Sequence, residues 1–417
     1  MHFSRNPLTF DTGNIQRFSL IRWVPCLLFL VWALAVNVRL CLPAEKQGAS
    51  DDAEILTLDV CPSSRAHFRN DWSLIFPLKQ GRLMLVWCEY YATSPEQVVK
   101  DRVGRYSDPA ACRISAKVSD DQGRTWSESF TLQDNTARLN VKHPNLLRLR
   151  SDPSKILFFF TSRCADGDRR GKGDIRMFMK ESTNECESWS EPRQISILGG
   201  THFLMADRVL QQLPDGRILL PAFQSDSWYP FDAFCYYSDD EGKTWQVSKS
   251  RMKLPDHGAQ EPSIVRLENG VLMAAIRTSL GAVYKSYSHD RGETWTEPVS
   301  MKLAAPASTP LLKRLPNSND LLLIWNNAYD PDHPDFVNGH GPRNPLTSAI
   351  SRDGGETWES FRNIEDIDPG ASSTPALTFV GDEALLTYNT EPAPLVDQTD
   401  LYTIRLKIIP IRWFRGP

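Results

Sequence analysis

Ser238-Asp239-Asp240-Glu241-Gly242-Lys243-Thr244-Trp245 is the stretch on which the fold turns, because its pattern S-x-D-x-G-x-T-W returns at Ser119–Trp126, Ser288–Trp295 and Ser351–Trp358. A worn copy runs from Ser182 to Trp189, with Asn184, Cys186 and Ser188 in place of the Asp, Gly and Thr. Successive tryptophans stand 63, 56, 50 and 63 residues apart, the period of propeller blades and not of short solenoid turns. Each residue type has a mechanical reason. The Asp carboxylate can accept backbone N–H groups of its own turn, the Gly can take a positive φ, and the Trp is a large apolar anchor between strands. A residue repeated in blade after blade cannot converge on one site, so these boxes mark the fold and not the chemistry.

Upstream of each box lies a second recurring unit, an apolar strand, a turn and another apolar strand: Leu74–Trp87, Leu146–Phe160, Val209–Phe223, Ile264–Ile276, Leu311–Trp325 and Ala376–Tyr388. Pro214-Asp215-Gly216 and Glu268-Asn269-Gly270 are hairpin turns of the expected kind. The last unit has no box after it, only the strand-like Leu401–Ile409, while an orphan strand, Glu54–Val60, stands near the front. Joining these two would close a ring and remove its exposed edges. The expectation is an all-β, six-bladed β-propeller over residues 53–417, one domain of four-stranded blades with the boxes at outer-strand turns.

The whole-chain properties agree. Of 417 residues, 47 are Lys or Arg and 51 Asp or Glu, with no basic tract, which excludes nucleic acid as a partner. Arg17 and Arg22 precede an apolar run from Trp23 to Val36 that contains Pro25. The run is shorter than the roughly 20 residues of a spanning helix, so residues 1–44 read as an export signal. The mature chain is expected in the periplasm or outside the cell, meeting a membrane only if that segment is retained. Cys61, Cys88, Cys112, Cys164, Cys186 and Cys235 follow it, an even number that allows disulfides and equally suits buried thiols. No C-x-x-C pair, H-E-x-x-H or calcium loop occurs, so neither a metal nor another cofactor is expected.

With boxes and blade count in hand, the chain resembles the sialidase superfamily, in particular its bacterial Asp-box members. Members of that family hold a substrate carboxylate with three arginines from different blades, a sound use of a guanidinium fork. Arg69-Asn70, Ala275-Ile276-Arg277-Thr278 and Arg343-Asn344-Pro345-Leu346 match those three segments. Asp108, eleven residues ahead of Ser119, stands where the family has its general acid, and Glu261 in Gln260-Glu261-Pro262-Ser263 matches the glutamate that polarises the nucleophile. The family nucleophile is a tyrosine just before an apolar strand of the last blade. Here Thr374, in Ser372-Ser373-Thr374-Pro375-Ala376, takes that place, and no tyrosine occurs between Tyr329 and Tyr388.

The resemblance therefore implies a glycosidase for a terminal acidic sugar, with Asp108 and Glu261 as its working carboxylates and Arg69, Arg277, Arg343 and Thr374 against the substrate. Asp207 and Arg208, ahead of the third blade, join that lining, as do His143 and His202 on loops before blade strands. Two alternatives differ in class: an acidic-glycan-binding propeller without catalysis, and an acidic-polysaccharide lyase, for which His202 is the best base. The partner in every case is an acidic glycan or polysaccharide.

Overall fold

Runs such as Leu83-Met84-Leu85-Val86-Trp87-Cys88 and Leu321-Leu322-Leu323-Ile324-Trp325 have no polar face, and each residue in them is at most 2% exposed. A strand covered on both sides needs that composition. The computed structural model describes residues 55–93, 110–163, 175–198, 201–204, 212–225, 229–329, 343–367, 370–392 and 401–416, all within the unit Ser50–Pro417. Residues 1–44, expected to be an export signal, lie outside them.

The strands form a six-bladed β-propeller. The inner strands are Arg69–Pro77, Val141–Arg148, Thr201–Leu204, Gln260–Arg266, Leu311–Arg314 and Gly370–Val380, each paired antiparallel to the next strand of its blade. Core clusters lie between successive blades. Val265, Met273 and Ala275 of blade 4 pack on Leu312, Leu323 and Trp325 of blade 5, and Leu322 and Ile324 of blade 5 pack on Leu377 and Leu386 of blade 6. The ring closes where Leu385, Ile404 and Ile408 of blade 6 meet Ile75, Leu85 and Trp87 of blade 1.

Closure is made by the N-terminal strand. Leu56–Cys61 pairs antiparallel with Thr403–Pro410, Leu56 opposite Ile408 and Asp59 opposite Arg405, and Arg405 Nε donates to Asp59 Oδ1 at 2.8 Å. The strand thus supplies the fourth and outermost member of blade 6, within a residue or two of the expected bounds, the usual uncertainty of strand ends. In blade 3 the described inner strand is Thr201–Leu204, opposite Ala222–Ser225; Val209, where the unit is expected to begin, lies outside the described residues. A single parallel bridge from Thr201 to Ile175 links that strand to blade 2.

The boxes fill the turns between third and fourth strands. In the first, Gly123 N–H donates to Ser119 Oγ at 2.8 Å, Ser119 Oγ–H to Asp121 Oδ1 at 2.8 Å, Thr125 N–H to Asp121 Oδ1 at 2.8 Å and Thr125 Oγ1–H to Asp121 Oδ2 at 2.6 Å. The Trp anchors blade to blade: Trp245 packs with Leu157 and Phe159 of blade 2, Trp295 with Leu219 and Cys235 of blade 3. The Gly must be bare as well as left-handed. A Cβ at Gly292 (φ +88°) would sit 2.8 Å from Leu219 of the preceding blade, and one at Gly355 (φ +92°) 2.5 Å from Met273. The described cysteines, Cys61, Cys88, Cys112, Cys186 and Cys235, are all thiols, and Cys186 takes the worn box's glycine position at φ +70°.

The box aspartates give the ring a pH dependence. The Thr125 hydroxyl, followed by its backbone N–H, holds Asp121 down at about 2. At Asp353, burial pushes the carboxyl up, but Thr357 and Ser351 outweigh it and leave it at about 2. A carboxyl held below its unfolded value, ~3.9, contributes stability that is complete above that pH and is lost as the pH falls towards 2. Urea midpoints should therefore decline between about pH 4 and 2, and Asp353→Asn should lower the midpoint at neutral pH and flatten that decline. An unchanged midpoint at neutral pH would refute the assignment.

Candidate functional site

Four inner strands share one irregularity. Their register slips between Asp71 and Leu74, Lys142 and Asn145, Gln260 and Ser263, and Ser373 and Ala376. In each slip one residue is left-handed: Trp72 (φ 44°), His143 (φ 60°), Glu261 (φ 49°) and Thr374 (φ 52°). Pro144, Pro262 and Pro375 follow three of them; proline has no N–H to lose from the ladder, which suits a bulge. Left-handed backbone costs a non-glycine residue about 1–3 kcal/mol and collects at functional sites. A bulge re-aims its side chain, and these four lie at one end of the ring. The boxes, at the far ends of the third strands, lie at the other.

Glu261 is buried and doubly held. Arg277, the last residue of the second strand of blade 4, donates from Nη1 to Oε1 at 2.7 Å, and the Thr309 hydroxyl of blade 5 donates to Oε2. Thr309-Pro310 repeats the Glu261-Pro262 pairing just before the inner strand of its blade. Arg343 leads into the third strand of blade 5 and donates from Nη2 to the Ala307 carbonyl at 3.2 Å and from Nη1 to Ser373 Oγ at 3.4 Å. Its own carbonyl accepts the Ser372 N–H at 2.9 Å.

Next to Ser373, the Thr374 hydroxyl stands between two acceptors, Asp71 Oδ1 at 2.9 Å and Asn389 Oδ1. Asp71, 2% exposed, also accepts Trp72 N–H at 2.8 Å, and its Oδ2 receives Arg69 Nε at 3.1 Å and Nη2 at 2.7 Å. The Arg69 guanidinium is lodged among the rings of Trp72, Tyr90 and Tyr402, 5.1, 4.8 and 5.0 Å from their centroids. A connected run of contacts therefore leads from Arg69 through Asp71, Thr374 and Ser373 to Arg343, and on through the Ala307–Thr309 segment to Glu261 and Arg277. Three guanidiniums and two carboxylates are gathered in it. Beside Arg277, His257 stacks on Tyr229 (3.9 Å between centroids, 8° between planes). Burial, and then the Arg277 charge, push that imidazole below its ordinary range.

The structure thus brings Arg69, Glu261, Arg277, Arg343 and Thr374 into one network. Asp108, Asp207 and Arg208 lie outside the described residues, and of His202 only the backbone, in the inner strand of blade 3, is described. Tyr388, the tyrosine nearest to Thr374 in sequence, is fully buried in the core between blades 5 and 6, where its hydroxyl donates to Glu365 Oε2 at 2.6 Å. Asp71 and Thr309 escaped the sequence reading. Thr309 had a signal: a residue, then proline, then an apolar strand recurs at His143-Pro144, Glu261-Pro262, Thr309-Pro310 and Thr374-Pro375. Asp71 had none.

The comparisons agree with this architecture. Residues 103–386 match the model of the BNR repeat-like domain, and the chain belongs to that family. Among solved structures it is similar to a Dyadobacter fermentans protein of unknown function (TM-score 0.67, 18% identity, 86% of this chain and 99% of that one). It is also similar to a mutant of Trypanosoma rangeli sialidase displaying trans-sialidase activity (0.64, 15%, 87% and 59%), and to the NanB sialidase of Streptococcus pneumoniae (0.64, 13%, 85% and 70%). At these identities the likeness is one of fold, the six-bladed β-propeller that the sialidases among them share. No curated protein matches its sequence.

The Glu261–Arg277 pair is coupled to stability, since removing one partner leaves the other's charge buried. Arg277→Ala should lower unfolding free energy by about 3–5 kcal/mol, and adding Glu261→Gln to it should recover part of that loss. A double variant less stable than Arg277→Ala would contradict the pairing.

Proposed function

We propose that this chain is a glycoside hydrolase for a terminal acidic sugar, sialic acid or a related carboxylated sugar, of exported or surface glycans. The observation that supports this reading most is the network itself: arginines from blades 1, 4 and 5 stand in one run of contacts with buried Asp71 and Glu261, Arg69 on Asp71, Arg277 on Glu261 and Arg343 on Ser373. Arg69, Arg277 and Arg343 outnumber Asp71 and Glu261 in it, and Lys142 lies over the same Trp72 ring as Arg69, an excess of positive charge that favours an anionic ligand. Buried guanidiniums favour such a ligand because their forks pair with it bidentately.

The chemistry follows from what stands at Thr374. A threonine tied to Asp71 or Asn389 is too short to take a tyrosine's part as nucleophile, and its small side chain leaves room for water near Glu261. Each Glu261 oxygen, already accepting one bond, retains a lone pair for that water. Glu261 takes a proton from the water as its oxygen attacks the anomeric carbon. The glycosidic bond breaks, and its oxygen receives a proton from Asp108, the general acid by family resemblance. Two carboxyls about 6.5–9.5 Å apart suit this inverting route. Removal of residues 1–44 on export would deliver the propeller to its glycans.

On sialylated or uronate-rich glycans, Glu261→Gln should abolish sugar release, whereas Thr374→Ala should retain it. NMR of the first-formed sugar should show the inverted anomer, and no covalent sugar adduct should be trapped. Arg343→Ala should weaken acidic-sugar binding by about 2–5 kcal/mol. A trapped adduct, or full turnover in Glu261→Gln, would defeat the water route; a wild-type chain that binds such glycans but releases nothing would make it a binding propeller.

A further inference from the structure

Of the four left-handed residues in the register slips, Trp72 (φ 44°) is the bulkiest, and a bulky side chain is the least at ease in that backbone. A bulge re-aims its side chain, and the contacts of this indole show where it is sent. It packs on the blade 1 cluster of Cys88, Tyr90, Ala110 and Cys112 and stands edge-on to the His143 imidazole of blade 2 at 4.6 Å. It also packs against the core cluster between blades 3 and 4 that holds Phe223, Phe231 and Ile276. In a ring of six, blade 4 stands opposite blade 1 and blade 3 is not its neighbour, so a side chain that reaches this cluster lies across the axis. Arg69 Cζ and Lys142 Nζ, 5.1 and 4.9 Å from the ring centroid, fix it there as cations drawn to the indole π-system. With all these contacts Trp72 is still only half-buried.

We propose that Trp72 is the floor of the central site, the open part of its indole taking the apolar C–H face of the bound acidic sugar while the flanking cations favour the sugar's charge. The inference rests on the acidic-sugar reading above and adds an apolar contact to it. Binding sites pair a few placed polar groups with aromatic surface, and this contact would select a pyranose from a simple carboxylate. It also gives the strained backbone of blade 1 a purpose: laying one large ring across the axis beside Asp71.

The test is hydroxyl-radical footprinting of the full chain, read residue by residue by mass spectrometry. Trp358, half-buried in a box at the far end of the ring, is the internal control. Trp72 should be oxidised in the free protein. Saturating N-acetylneuraminic acid or glucuronic acid should protect it and leave Trp358 unchanged, whereas acetate should protect neither. Trp72→Leu should weaken sugar binding, measured by calorimetry, about three- to tenfold, the share of one aromatic contact; if that variant fails to fold, the footprint of the unaltered chain decides alone. A Trp72 that resists oxidation in the free protein, or reacts as readily with sugar bound as without it, overturns the proposal and spares the hydrolase reading. So does protection by acetate, or a folded Trp72→Leu protein that binds at full strength. Failure of both sugars to bind the unaltered chain removes the two together.

Discussion

Two-sided burial is the constraint on which everything else in this molecule rests. The second strand of a blade, such as Leu321–Asn326, is 1% exposed or less along its whole length, so no blade is stable with a bare face. Only a closed ring covers every face, and closure needs the strand Leu56–Cys61 to complete blade 6. Apolar burial at ~25 cal/mol per Å² then acts at every boundary of the ring. The inner strands are thereby held around the axis as a consequence of packing elsewhere.

On that rigid ring the left-handed bulges become affordable. Thr374 is β-branched, and such a residue at φ 52° is a conformation the chain adopts only when its surroundings over-determine it. Asp71 and Asn389 do so through its hydroxyl; Arg277 and Thr309 do so for Glu261. Neighbouring blades thus hold each other's strained residues, and the hydrogen bonds that hold them also draw the arginines together. The Thr374 hydroxyl is one of the ties of this scaffold.

Much of the fold was legible because the box turns carry their reasons in five side chains within eight residues, and because hairpin signals punctuate uninterrupted apolar runs. The arginines were legible only through resemblance, since a lone Arg has no local pattern. Asp71 was not legible at all: its partners, Arg69 two residues away and Thr374 three hundred away, are set by closure of the ring. In blade 3 the pairing of Thr201–Leu204 with Ala222–Ser225 had no hairpin signal beside it, since those segments stand far apart in the chain. The bulges leave a trace, the proline after His143, Glu261 and Thr374, whose meaning needs the ladder to be seen.

A crystal structure of the chain soaked with N-acetylneuraminic acid tests the central claim most directly. The account predicts the sugar at the axis, its carboxylate within hydrogen-bond distance of the Arg277 and Arg343 guanidiniums and its anomeric carbon facing Glu261. A sugar bound on the box side of the ring, or one whose carboxylate meets neither arginine, would contradict it.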